Sequence, residues 1–226
     1  QIISNTIIIN IYSMDEKNNS TGQKNSESKS FVQKAWSSIR EVVEFAIIAL
    51  IIIVPLRMYV AQPFIVNGES MDPTFKDRDY LIVDELSYRF EKPSRGDVII
   101  LKYEYGYETS KPYFIKRIVG LPGETVLING NVTTIKNNAR PEGFVLNEPY
   151  IIEKNYPNQQ LTIALSEKEY FVMGDNRSHS KDARTWSRTG GAEALKEEDI
   201  IGRPIFRLFP ISKLSLFPGK FEEYSE

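Results

Sequence analysis

Apolar and polar positions along the 226-residue chain fall into three textures. Asp15 to Ser30 is Asn, Ser, Lys, Glu and Gly with almost nothing apolar, the pattern of a disordered tail. A helix begins over Trp36 to Glu44, and the twenty residues from Val42 to Ala61, VVEFAIIALIIIVPLRMYVA, carry charge only at Glu44 and Arg57, close to the two ends. At a rise of 1.5 Å per residue such a helix is about 30 Å long, the thickness of a hydrocarbon core. Its uninterrupted part, Phe45 to Leu56, is short enough to suit a buried helix or a cleaved signal as well. A retained single span is the expectation, because Arg57 and Tyr59 suit an interface and Gln62-Pro63-Phe64 follows where a cleavage site would need small residues. Pro55 is expected to kink its outer end.

After Pro63 the period changes to short runs of β-branched and aromatic residues between turn signals. Residues 79–84, 97–103, 113–119, 125–129, 132–135, 170–173 and 205–209 read as strands, with Asn129-Gly130 as a hairpin turn. Only Ala192 to Asp199 shows any helical period. The predicted fold class is mainly β: an all-β domain over residues 62–226, preceded by a single transmembrane helix within 36–61 and a disordered tail over 1–35. Residues 137–165, rich in Asn, Pro and Glu, read as an insertion on that β core. Met14 is the first methionine, and residues 1–13 read as an over-long start. Lys17, Lys24, Lys29, Lys34 and Arg40 favour the cytoplasm for the tail, which puts the β domain on the outer face of the membrane.

Composition narrows the chemistry. With 28 basic against 30 acidic residues there is no positive excess to gather phosphates, so nucleic acid is not an expected partner. The absence of cysteine removes disulfides, thiol catalysis and thiolate metal sites. His179 is the one histidine, so no site needing two imidazoles can form, and no metal or cofactor is expected. A nucleophilic reaction in such a chain would take lysine or a carboxylate as its base.

Three stretches carry the candidate chemistry. Asn67-Gly68-Glu69-Ser70-Met71-Asp72-Pro73-Thr74 sets Ser70 between a glycine turn and a proline turn, where a hydroxyl either bonds backbone or points at a substrate. Lys116 lies in the strand run Tyr113 to Val119 and shares a face with Phe114 and Ile118, while Arg117 shares the other with Ile115 and Val119. Apolar surroundings disfavour an ammonium and lower its pKa, which would let Lys116 accept a proton; the plainer alternative is a solvated strand lysine whose stem covers apolar surface. In Gly174-Asp175-Asn176-Arg177-Ser178-His179-Ser180-Lys181-Asp182-Ala183-Arg184, two aspartates and two arginines can fix a loop by ion pairs. A hydroxyl near a buried lysine can also orient its amine.

The ordered segments GESMDPT, RGDVI, KRIVGLPGE and GDNRSHSKDAR, following one apolar span, resemble the successive boxes of the type I signal peptidases, membrane-anchored Ser/Lys proteases. The resemblance runs from about Gln62 to about Pro210. It implies a serine endopeptidase that removes signal peptides from exported preproteins, cleaving after small-x-small sites. Ser70 would be the nucleophile, Lys116 the general base and Ser180 the lysine-orienting hydroxyl. Asp182 and Arg184 would form a supporting ion pair, Asp175 and Arg177 would help hold the loop, and Phe64, Val66, Met71, Phe75, Phe114 and Ile115 would form the substrate pocket. Part of the family has a serine where this chain has Gly68, so the oxyanion would rest on the Ser70 backbone N–H, with Gly68 the open position for a second donor. His179 falls on no catalytic position. The implied partners are signal peptides and a lipid bilayer, here the bacterial cytoplasmic membrane, with the protein secretion machinery left open.

Two other readings remain at this point. A repressor-type Ser/Lys autoprotease would carry a DNA-binding module where this chain has its apolar run. A tethered β-domain scaffold with vestigial motifs would not be expected to keep Ser70, Lys116 and Ser180 together.

Overall fold

The computed structural model describes residues 36, 38–54, 61–104, 112–151, 159–187 and 191–220. The expected tail, Met14, Pro55, Arg57 and Tyr59, and the middle of the 137–165 insertion lie outside the described residues. Residues 38–54 are helical. Their large side chains are exposed, Phe45 at 75% and Ile51 at 67% among them. No helix among the described residues is long and apolar enough to cross a membrane. Ala61, at the end of the apolar run, opens a strand instead of closing a helix.

The β region is described as a unit of its own. Its strands in chain order are β1 (Ala61–Ile65), β2 (Tyr80–Asp84), β3 (Val98–Lys102), β4 (Tyr113–Gly120), β5 (Thr125–Asn129), β6 (Val132–Lys136), β7 (Phe144–Val145), β8 (Gln160–Ala164), β9 (Glu169–Met173), β10 (Leu195–Lys196), β11 (Ile200–Phe209) and β12 (Ser215–Leu216). One sheet runs β1-β2-β11-β3-β4-β9-β10, with β12 paired to β11, and a smaller one runs β7-β6-β5-β8. Pro63, which has no N–H to give a ladder, is tolerated because β1 is an edge.

Burial follows the sequence period. In β2, Leu81 and Val83 point inward and their neighbours are half-buried, and in β5 Val126 and Ile128 do the same. β4 lies between β3 and β9 and is buried along both faces from Ile115 to Gly120, which is why its run is nearly continuous. One core cluster, including Val66, Met71, Phe75, Leu81, Val98, Ile100 and Ile115, packs around the turn that carries Ser70. A larger cluster joins β9 to β5 and β6 through Val119, Val126, Ile135 and Phe171. Gly120 lies at that junction, where a Cβ would run into Val126, Leu165 and Phe171.

Two expectations change. The 137–165 segment supplies β7 and β8, which flank the β5–β6 hairpin and complete the smaller sheet. Ala192 to Asp199 is not an α-helix: fully buried Leu195 pairs with Tyr170 in β10, and only Glu197–Asp199 make a 3-10 turn. Docking onto the edge of β9 overrides the local helical period.

Candidate active site

The turn after β1 delivers Ser70. Val66 donates its N–H to Asp79 and accepts one from Arg78, closing residues 66–79 into a loop. Gly68 takes φ +92°, a conformation that disfavours any side chain, and donates its N–H to Asp77 Oδ1 at 2.9 Å. That N–H is therefore engaged, whereas the Ser70 N–H has no partner among the described residues. The Ser70 carbonyl accepts from Asn176 N at 3.0 Å, which ties this turn to the loop after β9. Gly174 makes the approach feasible, since a Cβ there would overlap both the Ser70 carbonyl and Ser180 Oγ.

Strand β4 brings Lys116 to Ser70. Its Nζ lies 2.8 Å from Ser70 Oγ and donates to the Ile115 carbonyl at 2.9 Å, with the Phe114 ring 5.7 Å away. Only 2% of the lysine is exposed. Burial lowers its pKa from 10.5 to about 8; Asp182 and Asp175 pull it up and Arg184 pushes it down, but burial dominates. The carboxylates leave burial in control because each already holds an arginine.

Those pairs define the loop. Arg184 donates to Asp182 through Nε and NH2, both at 2.8 Å, and Gly174 N adds a third bond to that carboxylate. Burial would raise the Asp182 carboxyl, but these donors hold it below the usual carboxylate range. Asp175 takes a two-pronged bond from Arg117 on β4, at 2.8 and 2.6 Å, and a third from the Thr74 hydroxyl. Arg177 pairs with Glu148, which comes from the 137–165 segment. Ser180 Oγ is buried beside Asp182, whose carboxyl it helps to lower, and makes no hydrogen bond to Lys116 among the described residues.

A cavity of about 80 Å³ opens beside Ser70 and Lys116. Phe64, Val66, Phe114 and Ile115 line it, joined by Ile65, Tyr113, Leu81 and Ile100, which sequence reasoning did not assign. Tyr113 sits edge-on to Phe64 at 5.2 Å. Met71 and Phe75 are fully buried in the core cluster behind this wall and do not line the cavity, because the 66–79 loop turns them inward. The strongest missed signal was Arg117. A second basic residue within a buried strand run requires a carboxylate partner, and Asp175 is the one in reach. No cluster of His, Cys, Asp and Glu able to hold a metal occurs among the described residues.

A serine hydroxyl against a buried amine, beside an apolar cleft in a β fold, is an arrangement of the serine-hydrolase class. The family model for signal peptidase, peptidase S26, matches residues 39–209, and the chain belongs to that family. It is thus a serine endopeptidase. Its relatives include a probable signal peptidase I-1 of Synechocystis, 34% identical over 80% of this chain and 88% of that protein. A signal peptidase I P of Bacillus subtilis subsp. natto is also 34% identical, over 83% of this chain and 97% of that protein. A crystal structure of a signal peptidase I from Enterococcus faecalis V583 is 28% identical and covers 50% of this chain and 97% of that one, with a TM-score of 0.38.

Proposed function

We propose that the protein removes signal peptides from exported preproteins with Ser70 as nucleophile and Lys116 as general base. The observation that carries this reading is the 2.8 Å contact between Ser70 Oγ and an amine that burial holds near pKa 8. Neutral Lys116 takes the Ser70 proton as Oγ bonds to the scissile carbonyl carbon. The oxyanion is met by the Ser70 N–H. When the tetrahedral adduct collapses, the carbon–nitrogen bond breaks and Lys116 returns its proton to the leaving amine. Water, deprotonated by the same amine, then hydrolyses the ester and frees Ser70.

Asp182, Arg184, Asp175 and Arg177 hold the loop that meets Ser70. Ser180 orients Lys116 once its hydroxyl turns from Asp182 to the amine. Phe64, Val66, Phe114 and Ile115 form the pocket for small residues at the first and third positions before the bond, with Met71 and Phe75 supporting it from behind. A cavity of about 80 Å³ suits such side chains.

The apolar, exposed side chains of residues 38–54 are explained by lipid around them, and the proposed single span begins at Val42 and ends before β1. With the N-terminus in the cytoplasm, the β domain works at the outer face of a bacterial cytoplasmic membrane, where the substrate's own apolar segment presents its cleavage site. Detergent-purified protein should cleave a preprotein after a small-x-small site, as read by N-terminal sequencing of the product. Cleavage elsewhere, or full activity in Lys116→Ala, would contradict the reading. Protease added outside cells with a permeabilised outer envelope should degrade the β domain, and protection of that domain would reverse the orientation.

A further inference from the structure

A second cavity, of about 240 Å³, is lined by Glu69, the residue before Ser70, and shares no lining residue with the apolar one. Glu69, Asp72 and Pro73 form one wall, and Asn176 and His179 belong to the other. Ser70 lines the apolar cavity and its neighbour Glu69 lines this one, so the nucleophile stands at the divide. The Asn176 N–H on the Ser70 carbonyl makes the far wall continuous with the nucleophile's own peptide unit.

A peptide with its carbonyl at Ser70 Oγ and its preceding side chains in the apolar cavity must continue past Ser70. The polar cavity begins at Glu69, the residue before Ser70. We infer that this cavity binds the first residues after the scissile bond and that Glu69 makes it favour a basic side chain over an acidic one. The inference rests on the roles proposed for Ser70 and Lys116.

The charge balance of the walls singles out Glu69. Asp175 and Arg177, which also face the cavity, are held by Arg117 and Glu148. Asp72 lies 3.9 Å from Lys76. His179 contacts the Asn176 side chain at 3.2 Å. Glu69 is exposed, and among the described residues its carboxylate has no ion pair or hydrogen bond. A substrate ammonium or guanidinium there meets an uncompensated charge, and a substrate carboxylate is repelled by it.

The test uses full-length protein in detergent and three preproteins identical up to the cleavage site, with Ala, Lys or Glu at the first two positions after it. Wild type should show a kcat/KM for the Lys substrate about fivefold above that for the Glu substrate at low ionic strength. Added salt should shrink the ratio. Glu69→Gln should bring it close to one, and Glu69→Lys should invert it. Wild type that cleaves the Ala substrate but treats Lys and Glu alike overturns this inference alone, as does a preference that survives both substitutions. Wild type that cleaves none of the three overturns the assignment of Ser70 and Lys116 and this inference with it.

Discussion

Lys116 and Arg117 are neighbours on one strand, 2% and 0% exposed, and the two faces of β4 treat them in opposite ways. Arg117 gives Nε and NH2 to Asp175, gives NH1 to the carbonyls of Gly96 and Gly219, and lies over the Tyr150 ring at 4.1 Å. Lys116 meets a hydroxyl and a backbone carbonyl, while the nearest carboxylates are committed to arginines. Burial is nearly equal on the two faces. What differs is the partner and the group: Arg117, always charged and in contact with a carboxylate, is a strut, whereas Lys116, without one, is an amine that can lose its proton.

The comparison breaks most severely if either half of the proposed dyad can be dispensed with. Ser70→Ala and Lys116→Ala should each lower kcat/KM for preprotein by about a thousandfold or more, measured by gel-based cleavage. Lys116→Arg should lose as much, because a guanidinium stays charged.

On the other face, Arg117→Met leaves Asp175 buried without its cation. A loss of about 3 to 5 kcal/mol in stability is expected from denaturant unfolding, with activity falling alongside. A variant of normal stability would show that the pair is not structural.

Lys116→Met should act in the reverse direction. The folded-state pKa, about 8, lies below the ordinary 10.5, so between these values the unfolded chain holds a proton that the folded one lacks. The lysine therefore destabilises the fold fully below pH 8, and the penalty fades as pH rises to 10.5. Removing the amine should stabilise the protein by about 3 kcal/mol at pH 7 and by little at pH 10.5. Equal unfolding midpoints at pH 7 would mean that burial does not strain this lysine.

Gly174→Ala tests the joint between the faces. Its Cβ would push on the Ser70 carbonyl and Ser180, and displacing Ser70 by about 1 Å should cost on the order of a hundredfold in kcat/KM. Normal activity would show that the turn has slack.

Much of this was legible in the sequence, for reasons that differ by element. β5, a short apolar run between turn signals, coincides with its expected range, and β2 and β4 differ from theirs by a residue. β1 was hidden because Ala61 continues the apolar run and Pro63 argues against a strand unless that strand is known to be an edge. At the site, the approach of Ser70 to Lys116 was suggested by the order of the boxes, not by any local period. The Arg117–Asp175 and Arg177–Glu148 pairs join residues 58 and 29 positions apart, distances that spacing cannot read. The sequence pointed to Asp175 and Arg177 as loop formers without indicating that each is held from outside the loop. Met71 and Phe75 show the same blindness, since a hydrophobic residue beside a catalytic turn can face either substrate or core.

The central claim is that Lys116 works as a neutral amine with a pKa near 8. The pH dependence of kcat/KM tests it most directly. A rise of about tenfold per pH unit is expected up to an inflection at about 8, with a plateau above it, because the protonated amine cannot accept the Ser70 proton. A profile that stays flat down to pH 6, or that keeps climbing to pH 10, would contradict it.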